Sequence, residues 1–146
     1  MANTQSPFGF RSWSHRDGSP PTAGFDTLYI ASSDTSLYFT GDPVASNTTG
    51  PYITIPSTAA NTVQIAGIFV GCEFWNNGAA RMQWNPFFPG TVSGSTADVK
   101  AYVITDPEMQ FLVQTSSLNP VTSTMVNMNV AFTANVSSQG SQTTGI

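Results

Sequence analysis

The chain predicts an all-β domain, a small β-barrel or β-sandwich of Greek-key or jelly-roll type, with an extended N-terminal arm. Three observations predict it. Short apolar runs follow one another from TLYIASS, near residue 27, to MQFLVQT, near residue 109. Pro and Gly, 10 and 12 of 146 residues, punctuate those runs and deny them the length of helices. Helical spacing of apolar residues stands out only at Val121, Met125 and Met128, so at most one short helix is expected, around 122–129.

Residues 1–24 hold Pro7, Pro20 and Pro21 beside Phe8, Phe10 and Trp13. Proline interrupts regular structure, while a free disordered tail seldom carries aromatic rings. An extended arm that adheres to something accounts for both, and residues 25–146 form the domain. TLYIASS is its first strand and SLYFT, from Ser36 to Thr40, the second. A turn at Gly41-Asp42-Pro43 leads to an extended piece, Val44 to Ser46. YITIPS follows, ended or placed at an edge by Pro56.

Thr62 to Trp75, TVQIAGIFVGCEFW, is the strongest strand. Strict alternation puts Ile65, Gly67, Phe69, Gly71 and Glu73 on one face, with Ala66, Ile68, Val70, Cys72 and Phe74 on the other. Apolar residues on both faces predict burial on both sides. Gly67 and Gly71 predict a bend, a bulge or the close approach of another backbone. Asn76-Asn77-Gly78 is a turn, and ARMQWNPFFPG is too broken for a long strand. VKAYVIT, Asp106-Pro107 and MQFLVQT read as a hairpin, its second arm half-buried. A last strand is expected through Phe132 to Val136.

The charge count narrows function. Only 8% of residues are charged, four cations against eight anions, where about 25% is usual. In their place stand 17 Ser, 19 Thr and 10 Asn. Soluble proteins usually rely on like-charge repulsion, so this surface suits lasting contact with other protein. Arg11, Arg16, Arg81 and Lys100 are too few and too scattered to neutralise phosphates, which argues against nucleic acid and against an anionic membrane surface. No apolar run reaches bilayer-spanning length, and MANTQSPFGFR lacks the pattern of an export signal.

Chemistry-bearing residues are sparse. Cys72 stands alone in an apolar run, as a small buried hydrophobe does, and makes neither an internal disulfide nor a cysteine zinc site. His15 is the single histidine; Ser14 and Asp17 flank it, but triad members meet through a rigid fold rather than along one flexible segment. Asp17, Asp42 and Asp106 each precede Gly or Pro and read as turn formers, and no carboxylate pair among Asp26, Asp34, Glu73, Asp98 and Glu108 is singled out for glycoside hydrolysis. No enzyme, cofactor or metal is expected.

Aromatic residues remain as candidates. Pro7, Phe8, Phe10, Arg11 and Trp13 form one set in the arm; Trp75, Trp84, Phe87 and Phe88 form another around the central loop. Filling the core is the plain alternative for any one of them. Two uses compete for the sets as wholes. Exposed tryptophans stack on sugar rings when polar side chains flank them, and Asn76, Asn77, Arg81 and Asn85 are near in sequence. Aromatic residues also anchor protein–protein interfaces, and an aromatic arm favours that use.

SPFGFR, the His15-Arg16-Asp17-Gly18 run, SLYFTGDPV, IAGIFVGCEFW, NPFFPG and VKAYVITDPEMQFLVQ, in that order, resemble the head decoration or cement proteins of tailed bacteriophages. The likeness runs from about Ser6 to Val136, with FTGDPV and the DPE segment its most specific parts. It implies a β-rich, non-enzymatic, multimeric protein on the outer surface of the major capsid protein lattice, made in the bacterial cytoplasm, with terminal arms that reach neighbouring copies. It assigns no catalytic residue. Similar sequences continue past the TTG segment into further strands, whereas this one stops at Ile146; either the protein is shorter or a partner completes the sheet, and if a last strand is missing, the exposed edge favours strand addition by another subunit. A carbohydrate-binding β module and a tail or adhesin subunit are the alternatives. Two- or three-fold association with further copies is expected either way.

Overall fold

The computed structural model describes residues 9–21, 24–56, 64–92, 97–113 and 122–128. It is all-β, with a curled antiparallel sheet at its centre. Ten strands are described: β1 Arg11–His15, β2 Asp26–Ile30, β3 Tyr38–Phe39, β4 Pro43–Ser46, β5 Ile53–Thr54, β6 Ile65–Asn76, β7 Arg81–Asn85, β8 Phe87–Phe88, β9 Val99–Ile104 and β10 Met109–Leu112. The main sheet runs β2-β9-β6-β4-β5, and β7 pairs with the far half of β6 on the edge that β4 uses at its near half.

The sheet curls because β6 is bulged twice. Its register against β9 shifts between Phe69 and Gly71, and its register against β4 between Val44 and Ala45. The extra residue in the first bulge lets Phe69 and Cys72, which strict alternation sets on opposite faces, both reach the core fully buried. The bulge falls at Val70, whose carbonyl takes a side-chain partner. The Thr40 hydroxyl meets it, 2.8 Å from Val70 O and 2.6 Å from Pro86 O. Gly67 marks the close approach that its residue type predicts: a Cβ there would lie 2.3 Å from the Ile104 carbonyl oxygen.

Curling brings β5 round to β2. A parallel bridge joins Tyr29 to Tyr52, Tyr29 N–H donates to Pro51 O at 3.0 Å, and Tyr52 OH donates to Asp98 at 2.8 Å. Asp98 also accepts the Ser32 N–H at 2.9 Å, the largest of the causes that hold its carboxyl below the usual range. Inside the curl lie Ile30, Tyr38, Val44, Ile53, Phe69, Cys72, Phe74, Phe88, Val99, Ala101 and Val103. Burying such a side chain contributes about 1.5–3 kcal/mol, and the β3–β8 pair, Tyr38 against Phe88, closes the open side.

Two expectations are corrected, the hairpin and the strict alternation through β6, while the allowance of at most one short helix holds. VKAYVIT and MQFLVQT do not form a hairpin: β9 lies between β2 and β6, while β10 pairs with β1. Both edges of β9 are already taken, so the chain after Asp106-Pro107 must leave the main sheet. Helical spacing at 122–129 yields one 3-10 turn, Ser123–Met125, ended where Asn127 takes φ of 66°. Strict alternation through β6 fails at the bulge. The expected strand through Phe132 to Val136 lies outside the described residues.

The turn between β6 and β7 spans residues 77–80, with Asn76 opposite Arg81. The side chain of Asn76 accepts the Ala79 N–H at 3.1 Å, and the left-handed position falls on Ala80, φ 48°, rather than on Asn77 or Gly78. A Cβ in that conformation is unfavourable, so Ala80→Gly is expected to raise stability by up to about 1 kcal/mol. A urea midpoint that stays unchanged or falls would contradict it.

Candidate functional site

The register across four strands builds one surface. Tyr29 pairs with Lys100, Lys100 with Glu73, and Glu73 with Trp84, a continuous row over β2, β9, β6 and β7. Residues opposite each other in a sheet share a face, and so do residues two apart. Trp75 and its partner Met82 therefore join the row, as does Tyr102, which pairs with Gly71. Core residues Val99, Ala101 and Val103 point the other way, so this is the outer face.

Four large apolar side chains are exposed there: Tyr29 at 39%, Trp75 at 45%, Met82 at 52% and Trp84 at 55%. The Trp84 ring lies over Gly71, where a Cβ would meet it at 2.7 Å. Two charges sit among the rings, and each has local partners. Lys100 Nζ lies 4.0 Å from Glu73 and 5.3 Å from the centre of the Tyr102 ring, whose hydroxyl donates to Glu73 at 3.0 Å. Paired charges lower the cost of covering the face, because neither is left alone when water departs.

Other predicted site residues go elsewhere. Phe88 is core, and Phe87 is half-buried, stacked on Phe39 with ring centroids 6.3 Å apart. Pro7 and Phe8 lie outside the described residues. Phe10 is half-buried on its own chain: its ring meets Phe111 edge-on at 6.0 Å and its N–H donates to Gly41 O at 2.8 Å. Gly41 permits that contact twice over, through φ of 94° and a Cα that approaches Gly9 too closely for a Cβ. Arg11 and Trp13 face outward; Trp13 is the extra residue where β1 shifts register between Ser12 and Ser14, and is 63% exposed.

Sequence neighbours around His15 separate as well. Ser14 donates to Gln110 at 3.0 Å, and His15 Nδ1 lies 3.2 Å from Asp106. Asp17 accepts the Ser19 N–H at 2.9 Å; Ser19 holds its carboxyl below the usual range. These bonds tie β1 and its turn to the β9–β10 connection. Cys72 is buried, its thiol 3.4 Å from Phe87 O and pushed up to about 12 by burial, which keeps it protonated and inert.

The polar groups that a sugar platform would need are turned away. Asn76, Gln83 and Asn85 lie on the opposite face of the β6–β7 hairpin from Trp75 and Trp84. They bond to one another, Asn76 to Gln83 at 2.7 Å and Gln83 to Asn85 at 2.9 Å, beside a groove of about 350 Å³ also lined by Phe74, Phe87 and Val92. Sequence reading found Trp75 and Trp84 but missed Tyr29, Met82, Tyr102 and the Glu73–Lys100 pair. Alternation in VKAYVIT, with Lys100 and Tyr102 opposite three apolar residues, was the available signal. No family model, curated protein or solved structure matches the chain.

FTGDPV is a folding element. Asp42 accepts the Phe39 N–H at 2.8 Å, its carbonyl accepts Phe69 N–H, and Pro43 opens β4. Burial pushes its carboxyl up to about 6, against the opposing pull of that Phe39 bond. The folded state therefore favours the neutral acid. Its contribution is complete below pH 4 and is lost as pH rises through 6, at most on the order of 3 kcal/mol. Asp42→Asn keeps an acceptor for Phe39 and should flatten that part of a urea-midpoint profile against pH. An unchanged slope would assign it to another group.

Proposed function

We propose that this chain is a structural protein of a tailed-bacteriophage head, a decoration or cement protein that lies on the outer surface of the major capsid protein lattice and stabilises it. The outer aromatic face carries this reading. Tyr29, Trp75, Met82 and Trp84 form an exposed apolar surface around an internally paired Glu73–Lys100, as a contact meant to be covered by protein requires. The sparse charge supports it, since contacts built on few ions lose little to salt. Trp13, exposed at a bulge of β1, offers a second point of contact on a neighbouring subunit. Many copies at fixed spacing make modest single contacts sufficient. The resemblance of the ordered segments to such proteins agrees with this physical reading.

Co-sedimentation with capsids stripped of their decoration tests it. Saturable binding, together with a gain in the heat resistance of the shells, is the expected result. Folded protein that stays in the supernatant at every concentration would refute it.

A further inference from the structure

β7 has one described neighbour. Arg81–Asn85 pairs with β6 along one edge, and no described strand covers the other. Every second residue of a strand turns its N–H and C=O away from a given neighbour, so this edge offers a row of groups that no strand among the described residues pairs. Natural edges are commonly guarded by Lys, Pro or inward-pointing charge. RMQWN carries only Arg81, at its first position, with Pro86 just past its end. Among the described residues no carboxylate pairs with that guanidinium.

We infer that β7 is a self-pairing edge, through which two copies of this chain join antiparallel about a two-fold axis at Gln83. The sequence of the strand is complementary to itself about that residue. With Gln83 opposite Gln83 of the second copy, Met82 opposes Trp84 and Arg81 opposes Asn85, each pair formed twice. On the outer face the thioether and the indole are both exposed; the indole leans over Gly71 of β6, so the flexible Met82 side chain is the one that reaches across to it, a meeting that sulfur–aromatic contact favours. On the inner face the Arg81 guanidinium donates to the Asn85 amide oxygen, which already accepts from Gln83 and has a second lone pair free. Gln83, held between Asn76 and Asn85, is fixed in place at the axis. Register is thereby specified on both faces, and a slip by one residue in either direction would set Met82 and Trp84 against polar side chains.

Joining two copies makes their sheets continuous and places the two aromatic faces side by side. The inference does not rest on the shell reading, since the pairing belongs to the chain in solution and its test contains no capsids.

Sedimentation velocity of the full chain over a range of concentrations should show a monomer–dimer equilibrium. Gln83→Cys tests the register. Its thiol meets its own counterpart across the axis, with Cβ atoms about 4.5–5.5 Å apart, so mild oxidation should yield a covalent dimer. Arg81→Cys should not cross-link to itself, because its two copies stand roughly 13 Å apart along the strands. Asn85→Glu, which gives each Arg81 a carboxylate, should tighten the dimer about tenfold at low salt, a gain that misfolding cannot mimic. A chain that remains monomeric throughout overturns the inference. So does a dimer in which Gln83→Cys fails to cross-link or Arg81→Cys cross-links as readily.

Discussion

Alanine in place of both Trp75 and Trp84 is expected to abolish binding to stripped capsids while leaving the fold intact. Aromatic anchors at the centre of an interface commonly contribute at least about 2 kcal/mol each, so loss of the pair should weaken binding by roughly 1000-fold. Both side chains lie on the outer face at the β6–β7 hairpin, and neither enters the core. Far-ultraviolet circular dichroism and the urea midpoint should therefore move little, apart from the contact Trp84 makes over Gly71. Trp13→Ala is expected to cost less, since among the described residues Trp13 is the one exposed ring on the β1–β10 ribbon. Full binding by the double variant, with loss on Trp13→Ala, would move the contact from the sheet to β1.

Gly67→Ala should be the most destabilising of the small substitutions, by at least about 3 kcal/mol. A Cβ at this position would stand 2.3 Å from the Ile104 carbonyl oxygen and 2.6 Å from a Val103 methyl. The obstruction is backbone and cannot rotate aside, and it falls between β6 and β9, the central pair of the sheet. Gly78→Ala is the control: its Cβ would meet only the Asn76 side-chain oxygen, at 3.4 Å. Equal urea midpoints for the two variants would mean that β6 and β9 do not approach so closely.

Strand identity was legible wherever local pattern and burial agree. Val99–Ile104 falls within the run that alternation and β-branched residues mark out, and Asp26–Ile30 and Ile65–Asn76 each exceed theirs by one residue. Cys72 was legible as a buried hydrophobe, and Gly67 and Gly71 as points of close approach. Partnership was not. Asp106-Pro107 has the residues of a tight turn, yet β10 crosses to β1, nearly a hundred residues away in sequence, because β2 and β6 already occupy both edges of β9. A turn signal records what the backbone can do locally and carries no information about which edge is free.

The aromatic residues divide in the same way. Composition alone determined that this protein carries four cations, little charge of either sign and a large share of aromatic rings. Tertiary structure decided which rings remain outside. Phe87 and Phe88 lie only a few residues from Trp84, yet Phe88 enters the core opposite Tyr38 while Trp84 joins Tyr29 from a strand more than fifty residues away. One residue of bulge at Val70 lets both Phe69 and Cys72 face inward, and the register of four strands gathers Tyr29, Lys100, Glu73 and Trp84 into a row. Side-chain period along a strand is a local property that the sequence states openly; register between strands is set by the sum of contacts across the sheet, and appears only once the chain has closed on itself.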